Sequence, residues 1–385
     1  MTRYSVPHGV GDEENGATSV LGEKDVAELA RGGVIVGGGD RSGTVVFRNH
    51  TPVCFETGEG GVELMPVTEA LKRYDWVKEQ YFFQAVEENS DETTRRCARQ
   101  EEPAGFFIRV REGTRVVLPF QAAMYMTQQD GEQIVHNIVI VEKNASLELI
   151  TGCLTRHDVL RGSHLAVEEY YVGPGAKLIS TKVHSWGPEV RVNSRSGAVV
   201  AERGLYESRY ISLQPAREVV LNPMVHLKGR EAVAKDLTIV LSTSGTTVDA
   251  GGVITLSGRD TSAELLQRGV CTGGTLRQGG LLVGEERCRA HVDCAGMLLD
   301  ESSRGRIVSV PGLESSHPDA RMSHEASLGK IAPDQVEYLM SRGMAESEAV
   351  SLLIRGFLGV DLAGLGKDLD RQIERIVDIA GHGEA

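Results

Sequence analysis

The stretches VIVEKNASLELI (139–150), YYVGPGAKLIST (170–181) and VVAERGLYESRYISL (199–213) share one layout. Each opens on an apolar strand, passes a tight turn and a small residue or Gly, and continues as an alternating strand. The turns sit at Asn144, Gly175 and Arg203, spaced by 31 and 28 residues. A repeat of this length without intervening helices points to a β-solenoid, in which each coil packs on the next. Short strands separated by turns also fit a β-sandwich. Further turns are expected at Ser244, Glu286 and Ser303, with less regular spacing.

The same texture runs from about residue 115 to 314, and other patterns flank it. The segment PVTEALKRYDWVKEQYFF (66–83) opens on Pro and then carries apolar residues at near-helical spacing, which predicts one or two helices. Another helix is expected from near Ser90, where Asp91 and Glu92 suit its positive end. After Glu314, Pro333 opens DQVEYLMSRG, with Gly343 as its C-cap. AESEAVSLLIRGF (345–357) and DLDRQIERIVDIA (368–380) read as two more amphipathic helices. The expected organisation is a mobile N-terminus (1–20), a mixed region (21–110), a β core (111–320) and a C-terminal helical region (321–385).

Composition narrows the function classes. The formal net charge is −13, which argues against a general nucleic-acid binder. No run approaches the roughly 18 apolar residues of a membrane span. The N-terminus shows no basic start followed by an apolar stretch, so a cytoplasmic location is expected. The six cysteines include no C-x-x-C, which disfavours a zinc ribbon or a thioredoxin-type site. A disulfide framework is not expected in a chain of this kind.

Two short stretches carry candidate chemistry: RAHVDCAG (289–296) and MSHEASLGKI (322–331). A lone Cys in a strand is more often a small buried hydrophobe than a ligand. In an extended strand Val292 and Cys294 face one way, His291 and Asp293 the other. Any partner of Cys294 must therefore come from adjacent coils or another chain. His324 and Glu325 bring imidazole and carboxylate, which suit iron, while thiolate suits iron–sulfur clusters best.

These stretches resemble a known family. HVDCAGMLLDESSRG (291–305) is similar to the stretch around the essential cysteine of the SufB scaffold of iron–sulfur cluster assembly. HEASLGKIAPDQVEYLMSRGMAESEAVSLLIRGF (324–357) resembles the HEAT-x-x-KI segment shared by SufB and SufD. VKEQYFF (77–83), ITGC (150–153) and KLISTKVHSW (177–186) resemble further family segments in the same order. The likeness spans roughly residues 70–360 and is closest to the minimal, SmsB-like form of the SufB/SufD family.

The resemblance implies a mainly β fold: a right-handed parallel β-helix between an N-terminal α/β region and a C-terminal α-helical region. It implies a non-enzymatic scaffold that builds and transfers a transient iron–sulfur cluster, expected as [4Fe–4S]. By position, Cys294, Glu325 and His324 fall on the family's cluster site. Cys153, Trp186 and His184 fall on its sulfur-transfer route, with His184 where SufB usually has Gln. Tyr125 and Thr127 stand where SufB often has Arg and Asn, and Ser323 replaces an acidic residue.

The implied partners are a SufC-like ABC ATPase and a second scaffold protomer, expected as a homodimer, with neither nucleic acid nor membrane. The chain has no G-x-x-x-x-G-K-[ST], so nucleotide binding falls to the ATPase. Residues 332–357 are expected to dock that ATPase through Val336, Leu339, Met340, Val350, Leu353 and Ile354. The alternatives are a SufD-like stabilising subunit without its own cluster, or a β-helix carbohydrate-active enzyme. Scattered acids and only 5% aromatic residues speak against the enzyme.

Overall fold

Alternating strands bury their apolar face only if something of matching period lies beside them, and here the next coil supplies it. The computed structural model describes residues 2–3, 21–36, 41–212, 214, 216–299 and 305–358. One face of the stack carries eight successive parallel strands. They are β1 (Phe120–Met126), β2 (Ser146–Thr155), β3 (Lys177–Ser185), β4 (Leu205–Ser212), β5 (Val233–Ser242), β6 (Thr261–Cys271), β7 (Cys288–Leu298) and β8 (Arg321–Lys330). A second face runs from Phe106–Val110 through Gly131–Val141, Arg161–Val172, Glu189–Val200 and Glu218–Leu227. Past Glu218–Leu227, each strand of this face splits into two short ones. The chain alternates between the faces and winds a β-solenoid of about seven turns. This is the expected parallel coil, and the sandwich reading falls away because each strand pairs with its counterpart one coil along.

Register shows how regular the coiling is. Leu147, Leu178, Tyr206, Ala234, Ala263, Ala290 and Met322 stack as successive partners from β2 to β8. Leu147, Leu149 and Cys153 all belong to the central core, so the inner face of β2 is the predicted one.

The turns form a ladder of their own. Gly113, Asn144, Gly175, Arg203, Glu231 and Asp260 all have φ between 53° and 73°. Each places its N–H on a carbonyl of the following coil: Asn144 on Pro174, Gly175 on Glu202, Arg203 on Arg230, at 2.8–2.9 Å. The bonds explain why non-glycine residues tolerate the left-handed conformation there. The expected turns at Asn144, Gly175 and Arg203 are present, and Glu231 and Asp260 extend the series. Of the later ones, Ser244 borders Gly245 (φ 78°). Ser303 lies outside the described residues.

Six helices occur among the described residues: α1 (Glu23–Arg31), α2 (Val67–Arg73), α3 (Asp75–Gln80), α4 (Glu92–Ala98), α5 (Pro333–Ser341) and α6 (Glu346–Leu358). The 66–83 segment thus forms two helices, broken at Tyr74 in an extended conformation (φ −131°, ψ 102°). Asp91 caps α4 in a reciprocal box: its carboxylate accepts from the Thr94 N–H at 2.9 Å, and its own N–H donates to Thr94 Oγ1 at 3.1 Å. Gly343 (φ 95°) follows α5 as predicted. Apart from Thr2–Arg3, which pairs with Thr51–Thr57, residues 1–20 lie outside the described residues, as does the helix expected at 368–380. No described helix is long and apolar enough to cross a membrane. All six cysteines are free and buried.

One buried carboxylate fastens the N-terminal region to the coil. Glu169 points outward from the Arg161–Val172 strand yet is fully buried. It accepts from the N–H groups of Phe83, Gln84, Ala85 and Val86, from the Tyr171 hydroxyl, and pairs with His136 Nε2 at 2.8 Å. Burial alone would raise its pKa, but His136 and the amides outweigh it and hold the carboxyl below the ordinary Glu value. Phe82 stacks on the His136 ring at 4.5 Å, which seals the site. Glu169→Ala is expected to destabilise the chain by about 3 kcal/mol in denaturant unfolding, because four amides lose a charged acceptor. The Glu169 contribution is present at neutral pH and fades as pH falls through its depressed value. Amide exchange at 83–86 should accelerate in the variant; unchanged protection there would refute the clamp.

Candidate functional site

Because the coils are in register, the inner face of the stack carries rows of side chains running along the solenoid axis. One such row is polar throughout. Thr151, Lys182, Tyr210, Thr238, Gln267 and Cys294 are successive partners on β2 to β7. All six are buried. At roughly 4.8 Å per strand, the row spans about 24 Å. Cys153 and His184 are partners in the adjacent inner row.

The row begins in a cluster of buried titratable groups. Lys182 Nζ forms an ion pair with Glu168 Oε2 and lies 5.5 Å from the centre of the Tyr170 ring. Burial pulls the Lys182 ammonium down, but the Glu168 carboxylate outweighs it and raises it. Burial pushes the Cys153 thiol strongly up, and Glu168 adds to this. His184 Nδ1 meets the Tyr210 hydroxyl at 2.8 Å, and its ring packs 5.4 Å from Trp186. Burial drives His184 well below the ordinary imidazole value, and His164 beside it to about 3. Asp236 is pushed up to about 6 by burial, against hydrogen bonds from Ser208 and Thr238. Thr151 Oγ1 and Trp186 Nε1 are buried without a hydrogen-bond partner.

The row ends at Cys294. Its Sγ donates to Gln267 Oε1 at 3.6 Å, and the Gln267 amide is anchored by the carbonyls of Ala250 and Gly279. Burial pushes this thiol up to about 11; Asp293 adds to the shift and Arg268 opposes it. On the outer face Arg268 holds Asp293 at 2.5 Å. Strand β8 is the next and last in its sheet. His324 pairs with Val292, on the face of Cys294, while Glu325 pairs with Asp293, on the opposite face. His324 and Glu325 are both exposed.

The structure therefore places Cys294 and His324 on one face of adjacent strands and Glu325 on the other. Among the described residues, no three His, Cys, Asp or Glu side chains gather where they would hold a metal ion. Cys153, His184 and Trp186 do come together, in the buried cluster about five coils away. Lys182, Glu168, Asp236 and Gln267 were not singled out from the sequence. A signal existed for Lys182, which shares the strand face of His184 two residues on.

Of the six apolar residues expected on the docking surface, Met340 is exposed and Val336, Leu339, Val350 and Leu353 are half-buried. Ile354 is fully buried. With Val350 and Leu358 it packs on Ile211, Ile239, Leu241 and Val270, the outer face of β4 to β6. Tyr338 of α5 and Leu352 of α6 are also exposed.

Comparison with known proteins agrees with this architecture. Residues 124–357 match the family described as the SUF system FeS cluster assembly SufBD core domain. An iron–sulfur cluster assembly SufBD family protein of Archaeoglobus fulgidus is 35% identical over 357 residues, covering 92% of this chain and 95% of that one. A protein of the same description from Methanothermobacter thermautotrophicus is 35% identical over 363 residues, covering 93% and 88%. The iron–sulfur cluster assembly protein SufB of Bacillus subtilis is 27% identical over 259 residues, covering 66% of this chain and 55% of that one. With more than half of its length inside the core-domain match, the chain belongs to the SufBD family of SUF-system iron–sulfur cluster assembly proteins.

Proposed function

We propose that this chain is a cytoplasmic scaffold on which an iron–sulfur cluster is built and from which it is passed on. Cys294 is the sulfur anchor, with His324 and Glu325 from β8 as the more exchangeable ligands. The observation that supports this reading most is the position of Cys294. It ends a buried polar row and lies one strand from the exposed sheet edge that bears His324 and Glu325. Thiolate supplies affinity, while oxygen and nitrogen ligands suit a cargo that must leave. The described residues of one chain offer too few ligands in one place, so the reading calls for a second copy at this edge. Deprotonating a thiol held near 11 requires the bound iron, which stabilises the thiolate. In the same reading, Cys153, beside His184 and Trp186, receives sulfur next to the far end of the row.

A second reading, a SufD-like stabilising subunit, is favoured by the absence of a three-ligand cluster among the described residues. Anaerobic reconstitution with iron and sulfide separates the two. The wild-type chain is expected to develop the brown absorption of a cluster, and Cys294→Ser to lose it while unfolding at the same denaturant concentration. Glu325→Ala should assemble a cluster that leaks faster to a chelator. A Cys294→Ser protein with unchanged spectra would exclude the scaffold site.

The ATPase of the SufC type docks, in this proposal, on the exposed side of α5 and α6. Ile354 serves the internal packing instead, so truncation before α5 would uncover the sheet. Met340→Glu combined with Tyr338→Ala is expected to weaken ATPase binding at least about tenfold by calorimetry, the loss typical of central apolar contacts. Retained affinity would place the ATPase elsewhere.

A further inference from the structure

Among the described residues, the most deeply buried ion pair made by a lysine or arginine, Lys182 with Glu168, is used by neither the N-terminal clamp nor the cluster site. Its side chains are 11% and 4% exposed. Buried pairs of this kind are often no more stabilising than apolar residues of the same size. The pair therefore calls for another explanation.

Its surroundings suggest one. Lys182 and Cys153 project from the inner faces of adjacent strands, since Thr151 partners Lys182 and Cys153 partners His184. A two-residue diagonal across neighbouring strands is about 8 Å between Cα atoms, within the reach of a lysine side chain. The other titratable groups facing this space are His164, His184, Tyr170, Tyr206, Tyr210 and Asp236. Burial keeps the two histidines neutral and the three tyrosines protonated. Among the described residues Lys182 is thus the one cation of the cluster, and Glu168 pairs with it.

We propose that Lys182 and Glu168 form a counter-ion switch for anionic sulfur at Cys153. This rests on the reading of Cys153 as a sulfur carrier. The sulfur donor is a persulfide, R–S–SH. The Cys153 thiol gives its proton to the Glu168 carboxylate, which releases Lys182 to pair with the thiolate. The thiolate attacks the outer sulfur of the donor; the new S–S bond forms as the donor's own S–S bond breaks and RS⁻ departs. The departing RS⁻ takes the donor's own proton and leaves as RSH. Cys153–S–S⁻ remains, paired with the Lys182 ammonium. Two protons and one negative charge enter the step, and two protons and one negative charge leave it.

Removing one partner alone strands a buried charge, so the test uses Lys182→Met with Glu168→Gln, which removes both. The full-length chain is mixed with disodium disulfide, a two-atom sulfur donor, and persulfide on Cys153 is counted by mass spectrometry. Wild type is expected to load Cys153 at a rate that changes little between pH 7 and 9. The double variant should load on the order of tenfold or more slowly at pH 7, rising ~tenfold per pH unit as the thiol ionises unaided. Lys182→Arg should retain most of the wild-type rate, which a purely structural role would not predict. A double variant that matches wild type in rate and pH profile overturns the switch and leaves Cys153 as a carrier. A wild-type chain that takes up no sulfur at Cys153 overturns the carrier reading and the switch together.

Discussion

The register between successive coils is the constraint from which the rest of the structure follows. Each inner-face residue stands directly over its partner one coil away, from Leu147 through Leu178 and Tyr206 to Met322. A slip of one residue in any coil would turn that coil's whole inner face to solvent. The left-handed ladder from Gly113 to Asp260 holds the count, because each of its amides bonds to a carbonyl of the next coil.

Stacking in register also makes polar inner residues line up. Isolated in an apolar core, Lys182, Gln267 or Asp236 would each cost several kcal/mol. In the stacked interior each finds partners: Lys182 takes Glu168, Asp236 takes Thr238, Gln267 takes two backbone carbonyls and the Cys294 thiol. The interior thereby carries a continuous polar file beside its apolar core. Cys294 ends it and Cys153 lies in the adjacent inner row, and burial raises the pKa of both thiols. A thiol in that state needs outside help to become a nucleophile or a ligand. Near Cys153 lies the buried Lys182 ammonium, and at Cys294 the help would be the metal of the proposed function.

The stack must also end. At the N-terminal side, α2 to α4 lie against the coil, and Glu169 ties their connecting segment down through four amides. At the other end β8 has one strand neighbour among the described residues and is exposed along nearly its whole length. An uncovered edge is a template for pairing with another chain. Here it carries His324 and Glu325, two of the residues proposed as cluster ligands. α6 covers the outer face of β4 to β6 rather than this edge.

Much of the fold was legible in the sequence, for a local reason. Turns at Asn144, Gly175 and Arg203 repeat at the length of one coil, and strand alternation placed 147, 149 and 153 on one face. Pro333, Asp91 and Gly343 marked helix ends because capping chemistry is short-range. The family likeness of 291–305 and 324–357 pointed to Cys294, His324 and Glu325 as well. Sequence by itself did not reveal the row from Thr151 to Cys294, whose members lie 27 to 31 residues apart and meet only through register. Nor did it reveal that Glu325 faces away from Cys294, or that Ile354 is spent on internal packing. Those are consequences of which strand sits beside which, and only the tertiary structure decides that, because parallel pairing is made between residues a full coil apart.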